Sequence, residues 1–245
     1  MIGWLKKSSF AGTSWSASAA FVVVALTVII PLMILLSTIG MAKLGILPST
    51  VSKFILGDGV ASALTRIVMS IAIEVGLLFG VKRRYKLKLA DFGLRRFNVW
   101  RALLTILTLF VLFVAVLFVV YLLVSVLLPQ INLNETQKSG FELGRRGAGL
   151  IGSFIVSVLI APFIEEVYFR GFLLPPFSAK WGNFAGVILS SALFGAMHMQ
   201  VNVGIYTFIL GVILSIMYIR FRSIGPGIIL HTLNNSIAFF VLLNS

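Results

Sequence analysis

The chain has 245 residues, of which 59% are apolar and 11% are charged, and its mean hydropathy is +1.08. Soluble globular proteins average about 45–50% apolar and about 25% charged residues, so the composition excludes a water-soluble protein and predicts an integral membrane protein. The formal net charge is +13, and there are no cysteines. The lack of cysteine excludes disulfides, thiolate nucleophiles and Cys-ligated zinc.

Apolar segments follow one another along the chain, and most are long enough to cross a bilayer as helices of roughly 20 residues. They lie near residues 17–40, 60–81, 102–128, 149–174, 184–197, 203–219 and 227–243. We therefore predict an all-α fold, a polytopic transmembrane bundle of about seven hydrophobic segments, some of them short or re-entrant. A single integral membrane domain over residues 1–245 is the simplest organisation.

The positive charge is concentrated in the connection between the second and third segments. Residues 81–101 contain eight basic residues against the single acid Asp91: Lys82, Arg83, Arg84, Lys86, Lys88, Arg95, Arg96 and Arg101. A short basic loop between two spans is typical of the cytoplasmic side, and Lys6 and Lys7 agree in placing the N-terminus there. We expect the loop of residues 82–101 to contact anionic lipids. Because the charge is an orientation signal, we expect no nucleic-acid partner.

The fourth segment places Glu165, Glu166 and Arg170 within "APFIEEVYFRGFLLPP", residues 161–176. A charge at the centre of a membrane helix costs about 2.5–3.5 kcal/mol, so charges there are paired, face other helices or meet water, and they indicate a functional site. Glu166 and Arg170 have the i, i+4 spacing of an ion pair, whereas Glu165 is rotated about 100° away. The pair alone would be a structural strut, but a second carboxylate suits proton transfer.

The two histidines of the chain lie in similar settings. "FGAMH" ends the fifth segment with Phe194 and His198, and "HTLNN" lies near the start of the seventh with His231, Asn234 and Asn235. A lone buried histidine is usually a satisfied core residue. Two histidines, an asparagine and a glutamate pair in the C-terminal part of the chain instead indicate a functional site.

Taken in order, "EEVYFR", "FGAMH" and "HTLNN" resemble the EExxxR, FxxxH and HxxxN motifs of the CAAX prenyl protease 2 and bacteriocin-processing family of intramembrane proteases, also called CPBP or Abi. The resemblance covers about residues 149–240, which we take as the protease core. It implies a helical-bundle endopeptidase with its site sunk below the membrane surface. We expect a multi-pass protein of a bacterial or archaeal cell membrane.

The same resemblance implies roles for six residues. It matches Glu165 to the catalytic glutamate, Glu166 and Arg170 to its supporting pair, and the remaining site positions to His198, His231 and Asn235. Peptide hydrolysis needs a base for the attacking water and donors aimed at the developing oxyanion. Glu165 with His198 suits the first task, and His231 with the Asn235 amide suits the second.

A zinc mechanism uses some of the same residues. Glu165, His198 and His231 would make a site of two histidines and one carboxylate with an open position for water. The chain has no HExxH motif, which is the usual support for such a site. We favour a metal-independent glutamate mechanism with no cofactor, and zinc stays as the alternative.

Two further classes of protein place charges inside a membrane. A transporter would have interrupted segments in two related halves, whereas the polar cluster of this chain lies in one half. A non-catalytic membrane scaffold or immunity protein of the same family is the stronger alternative. It would tolerate the loss of Glu165, and a protease would not.

The substrate class follows from the resemblance: we expect a membrane-associated protein or peptide, with or without a prenyl group, cut near the cytoplasmic surface. The segment of residues 184–197 is too short, at 1.5 Å per helical residue, to cross a hydrocarbon core of about 30 Å. We therefore predict that the turn "HMQVN", residues 198–202, lies within the membrane thickness and brings His198 toward Glu165 and His231. The site would then open to the cytoplasm.

Overall fold

The computed structural model describes residues 10–56, 60–131, 133 and 147–244, and within these ranges it contains helices and no strand. The predicted all-α fold is therefore confirmed. The helices are α1 (Ala17–Lys43), α2 (Ser49–Leu56), α3 (Val60–Arg84), α4 (Val99–Leu127), α5 (Gly147–Phe154), α6 (Ala161–Glu165), α7 (Leu174–Ala196), α8 (Val201–Phe221) and α9 (Gly225–Leu243). One 3₁₀ helix, Leu89–Phe92, and two π-helical stretches, π1 (Ile155–Ile160) and π2 (Glu166–Leu173), complete the set.

Among the described residues, 5 helical stretches are long and apolar enough to span a membrane. They are Ala17–Lys43, Val99–Leu127, Gly147–Ala196, Val201–Phe221 and Gly225–Leu243. The segment predicted at 60–81 forms α3 but is not among these five. The chain is an integral membrane protein, and its orientation stays a prediction. Lys6 and Lys7 lie outside the described residues.

The fourth and fifth predicted segments are joined in the helical stretch Gly147–Ala196. The stretch is broken at Gly182, whose φ of 85° and ψ of 163° lie outside the helical region. Glycine adopts such a positive φ without steric cost. The break separates two helical pieces at the boundary expected between residues 149–174 and 184–197.

The first of these pieces contains both π-helical stretches. A π-helix closes i→i+5 hydrogen bonds, is rare, and occurs mostly as single turns that are frequent at functional sites. Glu165 is the last residue of α6, and π2 carries Glu166 and Arg170. All the charged residues of this apolar stretch that were predicted to be functional therefore lie in π2 or immediately before it.

The chain divides into two compact units. The first comprises Met1–Ala17, Lys88–Lys138 and Glu165–His231. The second comprises Ser18–Leu87, Ser139–Ile164 and Thr232–Ser245. The single domain expected over residues 1–245 stays a prediction.

The core of the first unit has two clusters of buried apolar side chains. One joins α4 to α8 and the start of α9: Ile106, Phe113, Leu210, Ile213, Leu214, Met217 and Leu230. The other lies around the ends of α7 and α8: Leu174, Val187, Tyr218 and Ile224. Because these helices bury their apolar faces against one another, α7 and α8 hold the residues on π2 in a fixed setting.

The backbones of α7 and α8 come close together beside the turn that joins them. A Cβ atom at Gly195 would lie 2.6 Å from the carbonyl oxygen of Gly204, and one at Gly204 would lie 3.2 Å from the oxygen of Gly195. Small residues allow this kind of close helix–helix approach in membranes. His198 lies three residues after Gly195, just beyond the end of α7 at Ala196, so this contact fixes where the turn begins.

In the second unit, the C-terminal part of α9 packs beside π1. The side-chain Nδ2 of Asn235 donates to the carbonyl oxygen of Ser157 over 2.9 Å. Phe154 and Phe239 meet edge to face with ring centroids 5.4 Å apart. A polar side chain thus satisfies a backbone carbonyl of a π-helical stretch here, where the regular ladder is interrupted.

Candidate active site

The pair Glu166 and Arg170 is the buried centre of the site. Nη1 of Arg170 donates to Oε1 of Glu166 over 2.9 Å, and the side chains are 1% and 0% exposed. Nη2 of Arg170 donates to the carbonyl oxygen of Gly211 on α8 over 3.2 Å. The ion pair expected from the i, i+4 spacing is therefore present. The second bond of Arg170, to Gly211, ties π2 to α8.

His231 lies between the two glutamates. Its Nδ1 is 3.2 Å from Oε1 of Glu166, and its Nε2 is 3.5 Å from Oε2 of Glu165. The side chain of Glu165 is 27% exposed, whereas those of Glu166 and His231 are 0% and 3% exposed. Of the two carboxylates, Glu165 is thus the one that water or a substrate can reach.

The contacts of His231 fix the orientation of its ring. A carboxylate paired with arginine is an acceptor, so Nδ1 of His231 is the donor to Glu166. Nε2 is then the ring nitrogen that faces the carboxylate of Glu165.

Phe194 forms a common wall between the charged residues and both histidines. Its ring centroid is 5.1 Å from that of His198 and 5.7 Å from that of His231, both edge to face. The guanidinium carbon of Arg170 is 4.6 Å from the same ring centroid. A cation over an aromatic face is stabilised, most strongly when water is excluded. The "FxxxH" spacing therefore supplies one ring that contacts the cation and both histidines.

His198 stands apart from the cluster in its hydrogen bonding. Its Nδ1 lies 2.8 Å from the carbonyl oxygen of Phe194. A carbonyl can only accept, so Nδ1 carries the proton and Nε2 of the neutral ring has a free lone pair. Within the described ranges, no hydrogen bond or ion pair joins His198 to Glu165 or His231. His198 shares the Phe194 wall with His231 without touching the glutamates.

Asn235, the sixth predicted site residue, belongs to the second unit. It follows His231 along α9, and it bonds to Ser157 and to Asn234, whose Nδ2 donates to its Oδ1 over 3.2 Å. Its Nδ2 carries two hydrogens, of which the bond to Ser157 uses one. Within the first unit, the structure gathers Glu165, Glu166, Arg170 and His231.

The turn that carries His198 separates α7 from α8. Met199 has a φ of 56° and is 91% exposed, and Gln200 is the residue immediately before α8. A large apolar side chain with this exposure suits contact with lipid or with a bound chain. The predicted depth of residues 198–202 within the membrane stays a prediction.

The donors needed for the alternative zinc site are not assembled. Among the residues that the structure describes, no group of three or more His, Asp or Glu side chains is placed to hold a metal ion. Glu165, His198 and His231 as arranged do not fit a zinc site. The preference for a metal-independent mechanism stays a prediction.

Three backbone features of the site were not predicted from the sequence. The carbonyl of Gly211 accepts from Arg170, and a Cβ at Gly227 would lie 2.8 Å from Oε2 of Glu166. The indole Nε1 of Trp15 donates to the carbonyl oxygen of Phe172 in π2 over 2.9 Å. The "GPG" sequence before His231 was a weak signal for Gly227. Nothing in the sequence links Trp15 to Phe172, because they lie 157 residues apart.

Comparison with known families agrees with the resemblance seen in the sequence. Residues 147–237 match the family model described as Type II CAAX prenyl endopeptidase Rce1-like. The match contains Glu165, Glu166, Arg170, His198 and His231, together with Asn235. No significant match was found among curated proteins or among solved structures.

Proposed function

We propose that this chain, whose residues 147–237 match the family model described as Type II CAAX prenyl endopeptidase Rce1-like, hydrolyses a peptide bond with Glu165 as the base. One observation carries the proposal: the partly exposed carboxylate of Glu165 lies 3.5 Å from the buried Nε2 of His231. A base must be reachable by the water that it activates and must have a partner that holds or returns the proton. Glu165 meets both conditions.

The buried residues behind Glu165 set the orientation of His231. Arg170 pairs with Glu166, and Glu166 accepts from Nδ1 of His231, so Nε2 faces Glu165. This is the same division of roles as in other hydrolases, where a buried carboxylate fixes the tautomer and direction of a histidine. Glu166 and Arg170 are therefore positioning residues in this proposal.

The proposed reaction begins with a water molecule beside Glu165. As the water oxygen bonds to the substrate carbonyl carbon, Glu165 takes its proton, and the carbonyl oxygen becomes an oxyanion. Nε2–H of His231 donates to this oxyanion, and the amide of Asn235 is the second donor in the proposal. When the C–N bond breaks, the leaving nitrogen receives the proton from Glu165. The free Nε2 of His198 supports water on its way to the site.

The proposed substrate is a membrane-associated protein or peptide, with or without a prenyl group, cut near the cytoplasmic surface. The support is the family match together with a carboxylate placed in a membrane-spanning helical stretch. The N-terminus is proposed to be cytoplasmic, in a bacterial or archaeal membrane, with the loop of residues 82–101 against anionic lipids. Nucleic acid has no part in this function.

The test uses purified protein in lipid nanodiscs and a fluorogenic, farnesylated CAAX peptide. The Glu165→Gln variant keeps the size of the side chain and removes the base, so we expect cleavage to fall by about 10²–10⁴-fold. The matched control is Glu74→Gln, which changes a glutamate on α3 of the second unit. Cleavage by Glu165→Gln at the wild-type rate would refute the protease proposal and favour the non-catalytic scaffold or immunity protein.

The histidine variants separate the two assigned roles. We expect His231→Ala and His198→Ala each to abolish cleavage while the protein still inserts into membranes. Removal of the 3% exposed His231 ring also takes away one of the two donors to Oε1 of Glu166, so this variant should unfold at a lower temperature. His198→Ala should keep the wild-type melting temperature. Full activity in either variant would remove that histidine from the mechanism.

Metal dependence is tested separately. In the metal-independent mechanism, prolonged dialysis of the purified protein against a strong chelator leaves cleavage unchanged. Elemental analysis should find less than stoichiometric zinc in the active sample. Activity that is lost on dialysis and restored only by zinc would show that the zinc alternative is right.

A further inference from the structure

A small polar cavity of about 150 Å³ lies in the first unit, away from the glutamates and histidines of the site. Its walls come from the segment before α1, the loop after the 3₁₀ helix, the start of α7 and the end of α8. The residues that matter for its chemistry are Phe10, Asp91, Arg95, Tyr218 and Arg222. The cavity is therefore built by four separate stretches of the chain and not by one loop.

Two arginines from different elements converge on this cavity. Nε of Arg95 donates to the carbonyl oxygen of Ala90 over 2.7 Å, which holds its guanidinium in place. Within the part of the chain that the structure describes, the terminal nitrogens of Arg95 make no hydrogen bond. The carboxylate of Asp91 also lines the cavity, but its Oδ2 accepts from the backbone N–H of Lys88 over 2.7 Å. Two cations against one acid leave the lining positive.

Arg222 is held in an unusual backbone conformation. It ends α8 with a φ of 54°, and its N–H donates to the carbonyl oxygen of Tyr218 over 2.8 Å. Glycine or asparagine normally takes this left-handed position at a helix end, because other side chains are strained there. The guanidinium carbon lies 4.1 Å from the ring centroid of Phe10. The strained position thus holds the arginine at the cavity over an aromatic face.

The charges of the two arginines affect each other. Burial lowers the pKa of Arg222; the neighbouring Tyr218 opposes this, and the positive charge of Arg95 acts in the same direction as burial. An anion placed between the two guanidinium groups would offset both the cost of burying the Arg222 charge and the repulsion between the two arginines. Arginine is also the residue that best matches the oxygens of a phosphate group, through two parallel hydrogen bonds.

The position along the chain matches the level of lipid headgroups. Arg222 directly follows a helix long and apolar enough to span a membrane, which ends at Phe221, and Arg95 shortly precedes another, which begins at Val99. Trp100, in the first turn of that second helix, is 78% exposed, as expected of a tryptophan in the interfacial belt. Phospholipid phosphates lie at the same level as this belt.

We propose that the cavity lined by Arg95, Arg222 and Tyr218 binds the phosphate of an anionic phospholipid. The two guanidinium groups pair with the phosphate oxygens, and the acyl chains run along the apolar surface beside α8. This binding site is independent of the peptidase proposal. The bound phosphate would hold residues 10–15 against the end of α8, because both stretches line the cavity.

The experiment measures lipid retention by native mass spectrometry of the full chain in a neutral detergent. The probes are dioctanoyl phosphatidylglycerol, dioctanoyl phosphatidylcholine with the same chains, and inorganic phosphate. We expect phosphatidylglycerol to bind most tightly, and Arg222→Gln to weaken it by about tenfold, as loss of one charge-assisted hydrogen-bond pair would. The matched control, Arg220→Gln, changes an exposed arginine near Arg222 that is not among the residues lining the cavity, and it should bind like the wild type.

A second variant separates a loss of lipid binding from an effect on folding of changing the strained residue Arg222. Arg95→Gln lies at an ordinary backbone position and should weaken phosphatidylglycerol binding to a similar extent. Equal binding of both lipids, or equal loss in Arg95→Gln and Arg220→Gln, would overturn the proposal. So would inorganic phosphate that binds as tightly as the lipid, because the cavity would then recognise a free anion.

Discussion

The helices α4 and α8 belong to the same compact unit and are both long enough to cross a membrane, yet they differ in what surrounds them. The most apolar part of Val99–Leu127 has a hydropathy of 3.2 and is 11% buried, whereas that of Val201–Phe221 has a hydropathy of 1.9 and is 50% buried. The more hydrophobic helix is the one that touches less protein. In a membrane the apolar surface faces lipid, and polar or small residues mark where helices meet.

The difference has a consequence for finding function in such a chain. The helix α8 contributes the Gly211 carbonyl to Arg170 and the Gly204 backbone to the close contact with α7. The helix α4 contributes only apolar side chains to the core, namely Ile106 and Phe113 in the main cluster. Of two spanning helices, the one with the lower hydropathy is thus the better candidate for the helix beside the site.

The strongest test of the contrast between α8 and α4 is to remove one arginine charge at each helix. Arg170→Gln strands the buried carboxylate of Glu166 and breaks the bond to α8, so we expect a loss of about 3–5 kcal/mol of unfolding free energy. Arg101→Gln, on the exposed first turn of α4, should change it by less than about 0.5 kcal/mol. Reversible unfolding in mixed micelles measures both. Equal stability of the two variants would mean that the ion pair does not hold π2 to α8.

Replacing both partners sharpens this result. The double variant Glu166→Leu with Arg170→Met leaves no unpaired charge, so most of the lost stability should return. Cleavage should not return, because His231 no longer has the carboxylate that orients it. Recovery of cleavage together with stability would show that Glu166 has no positioning role.

An intermediate effect is expected for an apolar side chain. Leu214 on α8 is fully buried, and Leu214→Ala should cost about 2–4 kcal/mol, because a cavity remains where the side chain was. Leu107 on α4 is 64% exposed, and lipid can fill the space left by Leu107→Ala. Its cost should be close to zero. Similar costs for the two variants would contradict the lipid-facing assignment of α4.

The smallest effect is expected for a single hydrogen bond at the edge of π2. Trp15→Phe keeps an aromatic ring against Phe92 and Phe172 but removes the donor to the Phe172 carbonyl. We expect a loss of about 1 kcal/mol of stability. Because π2 carries Glu166, we also expect a lower kcat with an unchanged KM. The control is Trp100→Phe, at an exposed ring on α4, and a change of KM alone would count against the positioning role of Trp15.

The sequence was sufficient for local features and for charges in apolar surroundings. The apolar segments and the pairing of Glu166 with Arg170 follow from composition and from helical spacing, which act over a few residues. The roles of Glu165, His198, His231 and Asn235 came from ordered motifs and stay proposals. No periodicity reports the contact of His231 with both glutamates, because it depends on how α9 meets π2, 65 residues apart in sequence for His231 and Glu166.

Other features could not be predicted because several conformations satisfy the same pattern. A hydrophobic run does not distinguish an α-helical turn from the π-helical turns at Ile155–Ile160 and Glu166–Leu173. The carbonyl groups that such turns expose accept hydrogen bonds from distant parts of the chain. Here the carbonyl of Phe172 accepts from Nε1 of Trp15. The break at Gly182 had a signal in the sequence, since the glycine lies between two predicted segments.

The contact between Gly195 and Gly204 gives the turn at His198 an unusual kind of rigidity. Where side chains separate two helices, a change of one residue is absorbed by its neighbours choosing other rotamers. Here hydrogen atoms separate two backbones, with 2.6 Å from a would-be Cβ of Gly195 to the oxygen of Gly204, so no rotamer can absorb a change. A methyl group added at Gly195 would act as a spacer that moves the whole backbone hairpin and carries His198 with it. The residues tolerated at Gly195 and Gly204 are thus limited by the position that His198 must hold, and the backbone N–H of His198 itself donates to the carbonyl oxygen of Gly195 over 3.2 Å.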